Sequence, residues 1–283
     1  MDITVHSDFY SGDVFFNHSS KENLVAKEFA PHFHDITEII FIKSGNVSYL
    51  VGGKKYKLRE NMLVLSRPTD RHCICIDGQG RYERYDILFN EKKLGYDIYN
   101  KIPADINVID FSRNRNVINT FSKMDYYCER LSDDMLSRIL TNLIEEIFLN
   151  IMIEVGDNGQ KNYEQTNPII CKAVAYIDEN LLSLSGIEEI CNELYITKSH
   201  LHHLFVKHLK ITPKKYITAK RLAMAQREIY AGAKATDICF KFGFSDYSTF
   251  FRAYKKHFGA TPSNISKESY TTTAKDDILS YYD

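Results

Sequence analysis

At 283 residues, with 44% hydrophobic and 26% charged positions, the chain is long enough for two domains with separate cores and has the make-up of a soluble globular protein. No apolar run approaches the roughly 20 residues of a membrane span. The opening MDITVHSDFYSGD carries acidic residues where an export signal needs basic ones, so a cytoplasmic location is expected. The net charge of −1 hides a segregation: residues 198–267 hold 14 Lys/Arg against three Asp/Glu, whereas residues 1–167 hold 20 against 25. A basic C-terminal third suits a polyanion partner. The six cysteines, at 73, 75, 128, 171, 191 and 239, show no CxxC or zinc-ribbon spacing and are expected to be reduced packing residues.

In chain order, ITVHS and DVFFN are expected either to add strands or to form an N-terminal arm. From Phe29 to Phe89 short apolar runs alternate with turn signals: TEIIFI, KSGN, VSYLV, GG, KYKL, REN, MLVLS, RPTD, CICI, DGQG and YDILF. That pattern predicts a compact all-β sandwich or barrel of six or more strands. From about Asn114 the period becomes helical, predicting helices over 114–130 and 133–155, the second capped by Ser132 or Asp133. Ile139, Ile144 and Phe148 widen its apolar face, which suits either a helix-helix dimer contact or packing on the barrel.

VGDNGQKNYEQTNP reads as a linker. Helices are then predicted at 169–180, at 185–193 opened by Ser185, at 197–208 opened by Thr197, and at 212–230 with Thr212 as cap and Pro213 at its first position. Further helices are predicted at 235–241, at 246–257 opened by Ser245, and briefly after Thr261-Pro262.

The C-terminal third repeats itself. KHLKITP, from Lys207, returns as KHFGATP, 49 positions later from Lys256; Ile190-Cys191 returns as Ile238-Cys239 at an offset of 48. Each unit is a short helix, a turn, a longer helix and a Thr-Pro opening of the next helix, the helix-turn-helix layout. A helix over 212–230 is about 28 Å long at ~1.5 Å per residue, close to the ~34 Å between successive major-groove faces of B-DNA, so one chain can read two adjacent turns. A helical bundle for protein binding explains neither the duplication nor the charge bias. The polar faces of the longer helices show Lys198, Ser199, His202 and His203 in one, and Asp246, Tyr247, Ser248, Phe251 and Arg252 in the other. Phe251 suits either a thymine methyl or local core. His200 and His203 lack carboxylate or cysteine partners for a metal.

GFSDYSTFFRAYKKHFGATPS (Gly243–Ser263) resembles the signature of the AraC/XylS family of transcriptional regulators, and IEEICNELYITKSHLHHLFVKH resembles that family's first, more variable helix-turn-helix. The resemblance implies two such units joined by a linker helix, each recognition helix entering the major groove. Base-facing residues would be Ser199, His202 and His203 in the first and Tyr247, Ser248, Phe251 and Arg252 in the second. Phosphate contacts would come from Lys198, Lys207, Lys255 and Lys256. Lys210 stands where the family's first unit usually has glycine, which leaves a non-glycine cap or a helix end without the left-handed turn. Cys191 and Cys239 replace a usual alanine.

PHFHDITEIIFIKSG places His32, His34, Glu38 and Gly45 in an H-x-H-x3-E-x6-G pattern, and RPTDRH adds Pro68 and His72. Together they resemble the two motifs of the cupin barrel, which many AraC-like regulators use as effector domain. Metal-dependent cupins bind a divalent metal through the matching His32, His34, Glu38 and His72; sensor cupins often bind an organic ligand there instead, which is the expectation here with no metal cofactor, and purely structural histidines are the remaining alternative. Expected effector-binding residues are His32, His34, Glu38, Tyr49, Arg67, His72 and Arg84, with Tyr85 as a further lining residue.

The expected fold is α+β in two domains: a cupin-like β-barrel with a helical dimerisation segment over 1–155 (barrel about 1–111, helices about 114–155), a linker over 156–168, an all-α DNA-binding domain over 169–270, and a flexible tail over 271–283. The expected function is a cytoplasmic, homodimeric, sequence-specific regulator of the AraC family that is not an enzyme and that answers to a small molecule such as a sugar. Its partners are promoter DNA, the effector and, for an activator, RNA polymerase. The alternative is a metal-dependent cupin enzyme fused to a DNA-binding domain.

Overall fold

The computed structural model describes residues 3–11, 13–24, 27–28, 32, 34, 36–94, 98–158, 164–165, 167–259 and 261–262. The expected short helix after Pro262 and the expected tail lie outside the described residues. Among the described residues ten strands precede the first long helix: β1 (Ile3–Tyr10), β2 (Val14–Leu24), β3 (Lys27–Glu28), β4 (Thr37–Ser44), β5 (Val47–Val51), β6 (Lys54–Lys57), β7 (Met62–Ser66), β8 (His72–Ile76), β9 (Gly80–Phe89) and β10 (Val108–Asp110). They form two antiparallel sheets, ordered β1-β2-β9-β4-β7-β10 and β6-β5-β8-β3. The segments ITVHS and DVFFN are strands of the larger sheet.

Strand β4, central in the larger sheet, is buried on both faces over residues 37–42, which is why TEIIFI reads as an unbroken apolar run. Ile40 and Ile42 point inward with Tyr82 and meet Val47, Tyr49 and Ile74 of the smaller sheet. Ile39 and Phe41, with Tyr85, Ile87 and Phe89, point the other way onto helices α1 (Arg115–Cys128) and α2 (Asp133–Asn158). Phe41 stacks on Phe121 at 4.2 Å between ring centroids, and Phe89 meets Phe148 edge-on at 5.5 Å. Gly52 and Gly53, with φ of +54° and +78°, make the tight β5–β6 turn that needs two left-handed residues.

The breadth of the α2 apolar face has an internal cause. Ile144 and Phe148 are fully covered within the chain, so they supply no dimer contact; the apolar residues α2 leaves exposed are Met135, Leu149 and Ile153. The stretch read as a linker contains strand β11 (Glu164–Gln165), which pairs with β6 and extends the smaller sheet.

The remaining helices are α3 (Pro168–Asn180), α4 (Ile187–Glu193), α5 (Lys198–Leu209), α6 (Pro213–Tyr230), α7 (Ala235–Lys241) and α8 (Tyr247–Phe258). Thr197 and Thr212 cap α5 and α6 through their hydroxyls. Two expected caps are corrected. Gly186, not Ser185, occupies the cap of α4, while Ser185 donates its amide and hydroxyl to Glu189 at 2.9 and 2.8 Å. Asp246, not Ser245, caps α8, accepting from the Thr249 amide at 2.7 Å; the carboxylate binds backbone more strongly than a hydroxyl does. Asp246 is therefore spent on the helix end and leaves the polar face of α8.

Helix α6 is the shared rod. Its first half gives Tyr216 and Ile217 to the core of α3, α4 and α5; its second half gives Leu222 and Ala225 to that of α7 and α8. Arg221 ties the two together, donating to Leu181 O and Leu184 O at 3.1 and 2.7 Å and lying under Gly243, where a Cβ would sit 2.7 Å from the guanidinium.

Both units end their long helix in the left-handed region, at Gly259 (φ +71°) and at Lys210 (φ +55°). The glycine is absent from the first unit, yet the turn is kept. A side chain pays about 1 kcal/mol for that conformation. Lys210→Gly should therefore raise the stability of the C-terminal helical domain by about 1 kcal/mol, read as a shift of the denaturation midpoint at unchanged slope.

Candidate effector chamber and nucleic-acid interface

Between the two sheets, the inward alternation of β4, β5, β7 and β9 converges a set of polar side chains that no water-facing surface explains. Glu38, 2% exposed, accepts from Ser66 Oγ at 3.0 Å, and Ser66 is bonded to Tyr49 OH at 2.9 Å. His72 Nε2 lies 3.0 Å and His34 Nε2 3.5 Å from the same Glu38 oxygen. The opposite ring nitrogens are fixed by the backbone: His34 Nδ1 donates to Ile36 O at 2.7 Å and His72 Nδ1 to Asp70 O at 2.8 Å. Both rings are thereby locked with Nε2 toward the chamber. His32 joins them, its ring 4.3 Å from that of His72. Arg84 and Asp86 complete the wall with an ion pair of 3.1 Å.

Burial alone would raise the Glu38 carboxyl, but hydrogen bonds and charge from His34 and His72 hold it well below the usual carboxylate range. The opposite happens one strand away. Burial pushes the Asp86 carboxyl up to about 8 despite the pull of Arg84. Burial likewise carries the Tyr49 phenol well above its usual value, so it stays a neutral donor.

The expected effector set divides. His32, His34, Glu38, Tyr49, His72 and Arg84 gather in one polar cluster between the sheets. Arg67 is engaged elsewhere, its guanidinium donating to Ile106 O and Pro103 O at 2.7 Å each, and it braces that segment instead. Tyr85 sits on the outer face of the sheet and donates to Asp125 at 2.6 Å. Ser66 and Asp86 were missed: serine on a strand carries no signal of its own, and Asp86 reads as one acidic residue among many. Three imidazoles and a carboxylate with donor atoms within 4.8 Å of one another are also a chemically fitting set for a divalent transition metal.

On the helical side, Lys198, Ser199, His202, His203 and Lys207 are exposed along α5, and Ser248, Arg252, Lys255 and Lys256 along α8. Their buried backs are Leu201, Leu204 and Phe205, and Phe250 and Tyr254. Tyr247 is half-buried and packs partly on the local core, whereas half-buried Phe251 touches the Tyr247 ring at 6.1 Å. Lys198 pairs with Glu188 across the turn.

The two halves touch at positions with no sequence signal. Arg71 Nε donates to Leu209 O at 3.0 Å, capping the last turn of α5 from the barrel side. Arg227 of α6 pairs with Glu91, beside a cleft of about 510 Å³ lined also by Leu94, Ile98 and Tyr99.

A buried polar cluster inside a two-sheet barrel, joined to two helix-turn-helix units on one rod, defines a DNA-binding regulator with a sensory domain. Residues 23–157 match the family profile of the AraC-like ligand binding domain, and residues 190–268 match a helix-turn-helix domain profile. The chain belongs to the AraC family of transcriptional regulators. It is 22% identical over 251 residues to the HTH-type transcriptional activator RhaS of Escherichia fergusonii, covering 84% of this chain and 87% of that one. The corresponding RhaS of Salmonella schwarzengrund is 21% identical over 253 residues, with the same coverage. Among solved structures, ToxT from Vibrio cholerae (K231A, apo) aligns over 89% of this chain and 96% of its own, at 13% identity and a TM-score of 0.41. The AraC-like transcriptional activator CuxR aligns over 77% and 79%, at 15% identity and 0.42. The protein is thus a DNA-binding transcriptional regulator with a ligand-binding N-terminal domain. No helix among the described residues is long and apolar enough to cross a membrane.

Proposed function

We propose that this regulator is a cytoplasmic activator whose barrel domain, 1–155, takes a polyhydroxylated small molecule of the sugar class and whose domain over 169–270 binds promoter DNA through α5 and α8. The observation that carries the ligand class is the chamber itself. An ionised carboxylate acceptor (Glu38), imidazole and phenol donors (His34, His72, Tyr49) and the Arg84–Asp86 pair are already desolvated and oriented, which suits adjacent hydroxyl groups. The relatives named as transcriptional activators support activation over repression. The exposed stripe of Met135, Leu149 and Ile153 on α2 supports pairing of two copies.

A thermal-shift screen of sugars and sugar acids tests the ligand class. A true effector at 100 times its Kd stabilises the barrel by about 2.7 kcal/mol, and that gain should vanish in Glu38→Gln. A screen in which no polyol shifts the melting temperature would reject the reading.

Transmission runs through the β7–β8 loop. His72 is fastened to the Asp70 carbonyl, and the next residue, Arg71, holds the C-terminal end of α5. A ligand that moves His72 therefore moves the group that caps a recognition helix, with a population shift between two arrangements as the outcome. Arg71→Ala should leave the ligand-induced thermal shift intact while collapsing the ligand-dependent change in DNA affinity, on the order of 5- to 150-fold in coupled systems.

A second reading has its own observation, the three-imidazole, one-carboxylate donor set: His32, His34, Glu38 and His72 would hold a divalent metal that serves as a Lewis acid or as an anchor for the ligand. Metal in the purified protein, lost on His34→Ala, would establish it, and turnover by that species would revive the enzyme alternative.

A further inference from the structure

The outer face of the larger sheet carries a second cluster, separate from the chamber and independent of the effector reading. Strands β1 and β2 pair with Val5 opposite Ser19 and Ser7 opposite His18, so a bulge leaves His6 as the extra residue. A bulge re-aims a side chain. Here it brings the His6 ring to 4.6 Å from the His18 ring. Ser20 pairs with Glu83 and His18 with Tyr85 across β2 and β9, which places Glu83 on the same face. One donor atom each from His6, His18 and Glu83 lies within 4.8 Å of the others.

Each potential donor is held from behind. His18 Nδ1 meets the Asp125 carboxylate of α1 at 3.0 Å, which turns Nε2 toward Glu83 Oε1 at 3.1 Å. Asp125 is itself fixed by Tyr85 OH at 2.6 Å and by the Ser7 hydroxyl. Arg81 grips Glu83 by Oε2 alone, at 2.7 and 3.0 Å, which leaves Oε1 pointing at His18. His6 Nε2 rests on Ser20 Oγ at 2.9 Å, a neutral contact that a metal would readily replace. Carboxylate backing of a histidine ring is the arrangement that orients and strengthens an imidazole ligand.

We propose that His6, His18 and Glu83 form a surface site for a borderline divalent cation, zinc foremost, with the fourth position filled by water. Two imidazole nitrogens and one carboxylate oxygen suit zinc, cobalt(II) or nickel(II); calcium and magnesium would require an oxygen-rich shell. The ion ties edge strand β1 to β2 and β9 and, through Asp125, to α1, so it fastens the N-terminal strand to the face that carries the helices.

The full chain, stripped with chelator and titrated with zinc chloride, tests the site by calorimetry and by metal content after gel filtration. His34→Ala is run alongside to account for zinc held in the chamber. Wild type and His34→Ala should both bind an equivalent that is lost in His6→Ala and in Glu83→Gln. Asp125→Asn should keep that equivalent with 10- to 100-fold weaker affinity, as expected for loss of a ligand's backing group. In the His34→Ala background zinc should raise the melting temperature and the added His6→Ala substitution should abolish that rise, while His6→Ala alone should leave the metal-free melting temperature at the wild-type value because His6 is exposed. In the His34→Ala background, cobalt(II) should give an intense four-coordinate visible spectrum that the added His6→Ala substitution abolishes. Wild type that binds no zinc, or a His6→Ala variant with unchanged stoichiometry and affinity, would overturn the proposal.

Discussion

Glu38→Ala is expected to lower the melting temperature of the N-terminal domain by roughly 6 to 20 °C, taking about 2–4 °C per kcal/mol for a domain of this size. Glu38 is 2% exposed and is the common acceptor for Ser66, His34 and His72. Its removal takes the shared acceptor from one hydroxyl and two imidazole nitrogens at a buried position. Breaking a buried, hydrogen-bonded pair from one side costs about 3–5 kcal/mol, more than the pair itself contributes, because the remaining partners stay desolvated. Glu38→Gln keeps the shape and one acceptor and should lose less. Calorimetric unfolding of the full chain checks the order wild type, Gln, Ala; equal melting temperatures would mean the chamber is wetter than its packing shows.

The same group sets an acid limit. The folded carboxyl of Glu38 is held below its ordinary value near 4.5, so its contribution is present above that pH and is lost as pH falls through the lower folded value. Asp86 acts in the opposite sense. Its folded value near 8 exceeds the ordinary 3.8, so stability declines as pH rises between the two. Glu38→Gln should flatten the acid limb and Asp86→Asn the alkaline one, each leaving the other limb in place.

What was legible in the chain and what was not divides along a physical line. Features written in consecutive residues were readable: the continuous run of β4, the Gly52-Gly53 turn, and the Thr197 and Thr212 caps all depend on neighbours a few positions away. The choice between Ser245 and Asp246 needed side-chain geometry, since adjacent residues both offer an oxygen. Periodicity showed that Ile144 and Phe148 seek cover but not whether a sheet or a second copy supplies it; the sheet does. In the chamber, the spacing of His32, His34 and Glu38 was visible, whereas Ser66, Asp86 and the diversion of Arg67 to Pro103 and Ile106 arise from contacts between distant strands and loops. Arg71 at the end of α5 and His6 in its bulge belong to the same class: ordinary residues made specific by what folds against them.

The DNA interface makes the other large prediction. Lys198, Lys207, Lys255 and Lys256 lie exposed on or at the ends of the two long helices, and the last turn of α8 holds Lys255, Lys256 and His257. If the bound protein neutralises about six to ten phosphates, affinity should fall about 10³- to 10⁵-fold between 50 and 200 mM salt. Lys256→Ala should weaken every sequence alike and reduce the slope of log affinity against log salt by about one, because a phosphate contact carries no base information. Arg252→Ala should act differently. Its side chain is exposed on the face of α8 that Tyr247 and Phe251 flank, and its planar fork suits a guanine edge, so its loss should relax preference at one base pair by about 1–3 kcal/mol and leave the others unchanged. Binding titrations of both variants against a base-substituted promoter series, each at several salt concentrations, separate the two roles. Equal weakening of all sequences by both variants would mean that α8 reads no base at Arg252, and that Phe251 and Ser248 carry whatever specificity the second unit has.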